Sequence, residues 1–188
     1  MQFRLFYRGP LKANGTPRDK QMIRRAFHPQ LCVLWKQPPL SSVSETLLRD
    51  SNESPRNGVI QKVNGFSFAP LICSKHHLVA ELDILFLRPE EPGKLISQGG
   101  DLDNRIKTLF DSLRMPTAQQ NEIPKEDKPE HGEDPFFCLL EDDSLVTYFS
   151  VRSDRLLIET KDRAEALLII SVGIRGTEKT WLSTILGS

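Results

Sequence analysis

Two aspartates and a lysine lie close together near the middle of the chain, in the segment GGDLDNRIKTLFDSL. Asp101 follows two glycines, Asp103 comes two residues later, and Lys107 lies four residues beyond Asp103. Residues four apart share a face of a helix, so the side chains of Asp103 and Lys107 would point the same way. Both carboxylates could reach one cation, and Mg²⁺ prefers oxygen ligands and keeps several waters. The segment therefore has the composition of a metal site with a positive charge beside it.

A second acidic group, residues 141–143 (Glu-Asp-Asp), precedes a predicted strand. Three consecutive carboxylates repel one another unless a cation or a basic group offsets them. We expect the intervening helix–loop–strand connection to bring Asp143 or Asp142 next to Asp101 and Asp103. Such a site suits phosphodiester hydrolysis, because a metal polarises the phosphate and lowers the pKa of a bound water, while the nearby lysine stabilises the transition state or positions the nucleophile.

Each of these residues also has an ordinary structural explanation. Asp101 and Asp103 are typical of helix N-termini, where capping and the helix dipole favour carboxylates. Lys107 would then simply pair with Asp103, and residues 141–143 would form a solvated turn. The spacing alone leaves both explanations open.

The pattern D-x-D-N-x-x-K, followed by F-D-x-L and by a D-D pair before a strand, resembles the RusA-type Holliday junction resolvases. It is matched at Asp101, Asp103, Asn104, Lys107, Phe110, Asp111, Leu113, Asp142 and Asp143. The resemblance covers residues 101–113 and 139–152. Members of that family are homodimeric, Mg²⁺-dependent endonucleases that cut four-way DNA junctions symmetrically, and they are common in bacteria and their prophages.

The resemblance implies a function and a set of site residues. It implies a homodimeric endonuclease that hydrolyses phosphodiester bonds in branched DNA during recombination or repair, using Mg²⁺, with Mn²⁺ as a substitute. The implied catalytic residues are Asp101, Asp103, Lys107 and Asp143. The implied metal ligands are Asp101, Asp103 and Asp143, with Asp142 beside them.

The net charge of zero hides two segments of opposite sign. Residues 1–36 hold eight basic residues and one acidic residue, whereas residues 101–143 hold five basic and twelve acidic residues. A basic segment beside a carboxylate cluster is typical of metal-dependent phosphodiester chemistry, although charge runs usually just face water. The predicted DNA contacts are Arg18, Lys20, Arg24 and Arg25 on one helix, together with Arg105. The alternative for the helix is a solvated face.

The elements that must position these residues follow from the hydrophobic pattern. A helix is predicted over 17–35, with Thr16 as N-cap and Pro17 at its first position, and a second over 101–114. Asn64-Gly65 between apolar runs predicts a hairpin. Strands are predicted over 2–7, 59–63, 66–71, 77–87, 145–152 and 166–174, and a short helix over 177–188, while residues 136–140 are apolar without an assigned element. The prediction is an α+β fold with a mainly antiparallel or mixed sheet of four to six strands and two main helices, as in the RusA-type family.

One domain over residues 1–188 is predicted, with a mobile insertion at 115–135 that holds four prolines and many charges. No apolar run approaches the length of a membrane span. Three distant cysteines favour a reducing, cytoplasmic location.

Two further hypotheses come from other classes of protein. One is a catalytically inactive DNA-binding protein that keeps the fold, which predicts salt-dependent binding without cleavage. The other is a protein-interaction module that binds its partner through the acidic insertion.

Overall fold

The computed structural model describes residues 1–89, 101–117, 122–159 and 164–186, with the backbone but not the side chain of Asp101. The strands in these residues are β1 (Gln2–Pro10), β2 (Gln61–Val63), β3 (Phe66–Ile72), β4 (Leu78–Arg88), β5 (Phe136–Leu140), β6 (Val146–Arg155) and β7 (Glu165–Gly176). The α-helices are α1 (Pro17–Trp35), α2 (Ser44–Leu47), α3 (Asp101–Leu113) and α4 (Trp181–Leu186). Short 3₁₀ turns cover Leu40–Ser42, Ser74–His76 and Asp143–Leu145.

The described strands form two mixed sheets. The larger has the order β1-β7-β4-β6, in which β7 is antiparallel to both neighbours and β4 is parallel to β6. The smaller has the order β2-β3-β5, a hairpin extended by a parallel strand. The predicted α+β fold with a mixed sheet is confirmed, with the strands divided between two sheets.

Strand β4 shows why the larger sheet covers a core on one face only. Its residues alternate between buried and more accessible, as a half-buried strand requires. The side chains of one face are almost fully buried: Leu78, Ala80, Leu82, Ile84 and Phe86. Glu81 and Asp83 lie on the other face, where Asp83 accepts a hydrogen bond from Ser150 Oγ at 2.6 Å. The buried face packs into the main core together with side chains of α1 and α3.

Helix α1 begins as its sequence predicts. The side chain of Thr16 accepts a hydrogen bond from the backbone N–H of Asp19, the carboxylate of Asp19 accepts one from the Thr16 N–H, and Pro17 occupies the first turn. The helix runs through Pro29 to Trp35 without interruption. Its apolar stripe of Ile23, Phe27 and Leu31 is buried.

Helix α3 is fixed against the start of α1. The backbone N–H of Gly15 donates to Thr108 Oγ1 at 2.9 Å, and a Cβ on Gly15 would lie 2.5 Å from Thr108 Cγ2, so the loop needs glycine there. One turn further, Lys20 Nζ pairs with Asp111 Oδ2 at 2.7 Å. These contacts set the position of the helix that carries the predicted site.

Part of the predicted insertion makes specific contacts with the rest of the chain, and its mobility stays a prediction. Its described residues are 115–117 and 122–135, and the second range packs against α1, because Arg25 donates to Glu133 Oε1 at 2.8 Å and to Asp127 Oδ1 at 2.9 Å. Ile123 is 3% exposed and joins a second hydrophobic cluster with side chains of β2, β3 and β5. Charges of the segment are matched by arginines elsewhere in the chain. Residues 118–121 of the predicted insertion lie outside the described residues.

Over the described part of the chain, no helix is both long and apolar enough to cross a membrane.

Candidate active site

A groove runs between helix α3 and the beginning of strand β6, and we call it the α3–β6 groove. Its volume is about 420 Å³. Its lining consists of Leu102, Asp103, Ile106, Lys107 and Phe110 from α3 and Asp143, Phe149 and Val151 from the β6 side. Three polar residues that the sequence singles out therefore line one groove, although Asp143 lies 40 positions from Asp103.

Asp103 and Lys107 are both exposed on α3. Among the residues that the structure describes, no ion pair joins them and no other side chain or backbone group pairs with either. The i,i+4 geometry would permit a pair, so the structural explanation in which Lys107 neutralises Asp103 is not the arrangement present. Both charges are available to a ligand in the groove.

The three acidic residues 141–143 have three different environments. The carboxylate of Glu141 accepts hydrogen bonds from Gln61 Nε2, from the backbone N–H of Ser74 and from Ser74 Oγ, each at 2.9 Å. Glu141 therefore ties this loop to the second sheet, and most of its acceptor sites are already used by these bonds. Its turn away from the other two acids also relieves the repulsion that three adjacent carboxylates would otherwise suffer.

Asp142 caps the 3₁₀ turn Asp143–Leu145 by accepting a hydrogen bond from the backbone N–H of Ser144 at 3.0 Å. Hydrogen bonds from the side chain and the backbone of Ser144 hold the pKa of Asp142 below its usual value, so the carboxylate is ionised at neutral pH. Asp143 is exposed at the first position of that turn. One acid thus shapes the loop while the next one faces the α3–β6 groove.

The end of α3 is joined directly to the strand that leads into the acidic loop. The backbone N–H of Met115 donates to the carbonyl of Leu140 at 2.8 Å, and Arg114 forms an isolated parallel bridge with Leu140. Helix α3 and the loop at residues 141–143 are therefore held together by the backbone. The relative positions of Asp103 and Asp143 follow from this junction.

Lys107 and Asp143 also line a second, polar cavity of about 500 Å³. Its other lining residues are Pro17, Lys20, Asp111, Arg114, Thr117, Glu122 and Asp142. The two residues thus lie between an apolar groove and a polar cavity. An extended ligand could contact both.

The residues present fit Mg²⁺ in their chemistry. Asp103 and Asp143 supply exposed carboxylate oxygens, and Mg²⁺ is commonly held by one or two carboxylates with water completing the shell. Within residues 1–89, 101–117, 122–159 and 164–186, no group of three or more His, Cys, Asp or Glu side chains is close enough to form a metal site. The side chain of Asp101 and the preceding Gly99-Gly100 lie outside the described structure, so the part predicted for Asp101 stays a prediction.

The basic residues predicted to contact DNA are placed differently from one another. Arg18 is exposed on α1. Lys20 is paired with Asp111, and Arg105 donates to the carbonyl of Leu11. Arg25 is bound to the insertion. Of these, Arg18 has the accessibility that a phosphate contact requires without giving up an internal partner.

The prediction that Arg24 contacts DNA is wrong, because its side chain is buried. It is 1% exposed, and its guanidinium donates to the backbone carbonyls of Asp111 at 2.6 Å and of Glu122 at 3.3 Å. Burial lowers the pKa of Arg24 to about 10, which still leaves it charged at neutral pH. A guanidinium inside the protein cannot touch a DNA phosphate, so its part is structural.

Sequence reasoning missed the charge network around Arg24. Arg114 Nη1 donates to Glu122 Oε2 at 3.0 Å, and both residues are 6% exposed. With Arg24, Arg25, Asp127 and Glu133 they form what we call the anchoring cluster. A signal existed in the sequence: Gln21, Arg24 and His28 recur at i, i+3 and i+7 beside the apolar stripe, and all three are buried.

No protein-family model matches the chain, and no curated protein matches its sequence. The resemblance to the RusA-type family therefore rests on the motif residues in 101–113 and 139–152.

Proposed function

We propose that this chain is a metal-dependent endonuclease that hydrolyses phosphodiester bonds in branched DNA, with Mg²⁺ or Mn²⁺ as cofactor. The observation that supports the proposal best is the shared groove, in which Asp103, Lys107 and Asp143 lie together from separate elements. Asp103 and Lys107 are exposed and have no side-chain partner in the described structure, so charges of both signs are available to a ligand. The match to the RusA-type motif supports the same chemistry.

Asp103 and Asp143 would hold the metal, with Asp101 and Asp142 as the further ligands that the motif implies. When bound, Mg²⁺ supplies a Lewis acid for the phosphate oxygen and lowers the pKa of a bound water. The protein contributes the position of these carboxylates, which the junction of Met115 with Leu140 and the anchor at Glu141 keep in place.

Lys107 would bind the phosphate and offset the negative charge that develops on it. Its ammonium lies in the same groove as the two carboxylates and is exposed, so it can approach a phosphate from the helix side. Donors placed in advance where charge develops are among the strongest contributors to catalysis.

A homodimer and a cytoplasmic location belong to the same proposal. Two copies would present two sites to one branched DNA and permit paired cuts in recombination or repair. The resemblance supports this pairing.

The decisive experiment measures cleavage of a synthetic four-way junction, a replication fork and a linear duplex, each with Mg²⁺ and with chelator. We expect Mg²⁺-dependent cleavage of the branched substrates. Folded protein that cleaves none of them would overturn the enzyme proposal, and salt-dependent binding without cleavage would favour the inactive DNA-binding alternative.

The protein-interaction alternative has less support from the insertion itself. Four of the acids in the insertion, Glu122, Asp127, Glu130 and Glu133, are paired with arginines of the same chain. They are therefore already neutralised.

A further inference from the structure

The apolar side of the α3–β6 groove has no part in the metal chemistry proposed above. It is formed by Leu102, Ile106, Phe110, Phe149 and Val151. Phe149 is 52% exposed although it lies beside three charged residues. Its ring meets Phe110 edge to face, with the centroids 5.2 Å apart. The exposed face of the Phe149 ring is therefore available to a ligand at the edge of the candidate active site.

We infer that the α3–β6 groove holds one unstacked nucleobase of the DNA strand being cut, next to the phosphate bound by Asp103, Lys107 and Asp143. The inference rests on the proposed function and adds to it a second contact, made to the base. In its terms, Phe149 is a specificity-determining residue, because it recognises a base that has left the helical stack.

The charges around the groove favour a nucleotide over an apolar partner. A hydrophobic peptide or a second copy laid over Phe149 would remove water from Asp103, Lys107 and Asp143 without replacing it, and burying unpaired charges is costly. A nucleotide avoids that cost. Its phosphate meets the lysine and the metal-binding carboxylates, while its base covers the apolar wall.

The dimensions and the chemistry of the groove also suit a base. A volume of about 420 Å³ lies within the usual range of small-molecule pockets, roughly 300–1,000 Å³. Every base has a π-face, so stacking on an aromatic side chain tolerates any sequence. The groove would therefore select a shape of DNA rather than a base order.

This contact would give the protein a preference for branched DNA. A base in an intact duplex must be unpaired and unstacked before it can enter, whereas a base at a branch point or in a single strand has already lost most of that stabilisation. The groove would add binding free energy for branched DNA and little for duplex.

The test combines a protein change with a DNA change, read as binding in Ca²⁺, which we expect not to support cutting. A fork with normal bases is compared with forks in which one nucleotide near the branch is abasic, moved along the strand one position at a time. Wild-type protein and Phe149→Ala are measured on each. Tyr148→Ala is the matched control, because Tyr148 is 53% exposed on the neighbouring residue of the same strand but does not line the groove.

We expect Phe149→Ala to weaken binding to the normal fork roughly ten-fold, and wild type to lose a similar factor at one abasic position. At that position Phe149→Ala should lose nothing further, because the same contact has been removed twice. Tyr148→Ala should bind each fork as wild type does. If Phe149→Ala proves unstable, Phe149→Leu replaces it in the test, because leucine keeps apolar packing and removes the aromatic ring. We expect Phe149→Leu to show the same losses in binding.

Additive losses, or equal losses for Phe149→Ala and Tyr148→Ala, would overturn the inference. The base site and the proposed nuclease function can fail independently of each other. Cleavage by wild type in Mg²⁺ with no coupling between Phe149 and any base would leave the nuclease standing and remove the base site. Coupling between Phe149 and a base in Ca²⁺, without cleavage in Mg²⁺, would support the base site and remove the nuclease proposal.

Discussion

Helix α3 carries two sets of charges in opposite environments, one exposed and one buried. In its first half, Asp103 and Lys107 are exposed and have no partner among the described residues. In its second half, Asp111 is buried and pairs with Lys20, and Arg114, just after the helix, is buried and bound to Glu122. The same helix thus serves the fold at one end and the groove at the other.

The difference separates charges that hold the protein together from charges that remain for a ligand. A buried charge must be paired, since an unpaired one costs several kcal/mol. An exposed charge needs no partner for stability. Residue type and motif membership do not distinguish the two sets, because Asp103 and Asp111 are both aspartates of the same motif. The partners do.

The largest expected effect compares those two aspartates. We expect Asp103→Asn to reduce Mg²⁺-dependent cleavage of a branched substrate about a thousand-fold, which is the upper end of the range for removing one group that stabilises a transition state. Its free energy of unfolding should stay within about 0.5 kcal/mol of wild type. Asp111→Asn should do the opposite, lowering stability by about 1–3 kcal/mol while the folded protein still cleaves. Cleavage rates and urea unfolding of both variants decide this, and swapped outcomes would refute the division.

The next effect concerns Arg24. Replacing it with Met removes its bonds to the carbonyls of Asp111 and Glu122, and we expect about 3 kcal/mol lower stability. Arg18→Met, on the exposed side of the same helix, should change stability by less than about 0.5 kcal/mol. Urea unfolding monitored by circular dichroism gives both values. Equal stabilities would contradict a structural part for Arg24.

Lys107→Met should affect cleavage and spare the fold. We expect a loss of about a hundred-fold in cleavage rate, because a positive charge facing the phosphate is removed. The midpoint of unfolding should be unchanged, since Lys107 is exposed and has no partner in the described structure. A wild-type cleavage rate for this variant would remove Lys107 from the proposed site.

The smallest effect is a pH dependence of the anchoring cluster. Burial alone would raise the pKa of Glu133, but hydrogen bonds from Arg25 and from the Glu130 backbone N–H hold it below its usual value of 4.5. A lowered pKa in the folded state means that Glu133 stabilises the protein above about pH 4.5, and that this stabilisation is lost as the pH falls through the folded-state pKa.

Glu133→Gln should therefore be about 1–2 kcal/mol less stable than wild type at pH 7, and the gap should close toward pH 3. Glu126→Gln is the control, because Glu126 is exposed in the same segment and has no ion-pair partner among the described residues. Unfolding curves across that pH range measure the gap. A gap that stayed constant would show that the Glu133 charge is not what Arg25 binds.

The sequence predicted elements whose cause is local. Thr16 and Pro17 mark the start of α1, and α3 extends from Asp101 to Leu113 where its apolar stripe indicated 101–114. The hairpin at Asn64-Gly65 forms with the positive φ angles, 48° and 84°, that this dipeptide favours. Strand β4 was expected over 77–87 and lies at Leu78–Arg88.

Arrangements that depend on distant partners were not predictable from one sequence. The parallel pairing of β3 with β5 joins residues about 70 positions apart, and nothing in either strand specifies it. Arg24 looks like any helix arginine until the carbonyls of Asp111 and Glu122 are in place. For the candidate site, the helix spacing predicted that Asp103 and Lys107 share a face and the acidic pair predicted Asp143 beside them. The junction of Met115 with Leu140, which holds the two parts together, had no signal in the sequence.

That junction also sets how long the connection between α3 and β5 has to be. Met115 meets the last residue of β5, so the chain must travel back along the five residues of the strand before it can enter at Phe136. At about 3.3 Å per residue, roughly four residues would cover that distance. The chain uses about twenty, because a connection between parallel segments must also reverse direction and usually takes a dozen or more residues. A shortened protein would lose the carboxylates that neutralise Arg25 and Arg114, and those arginines would have to change with it.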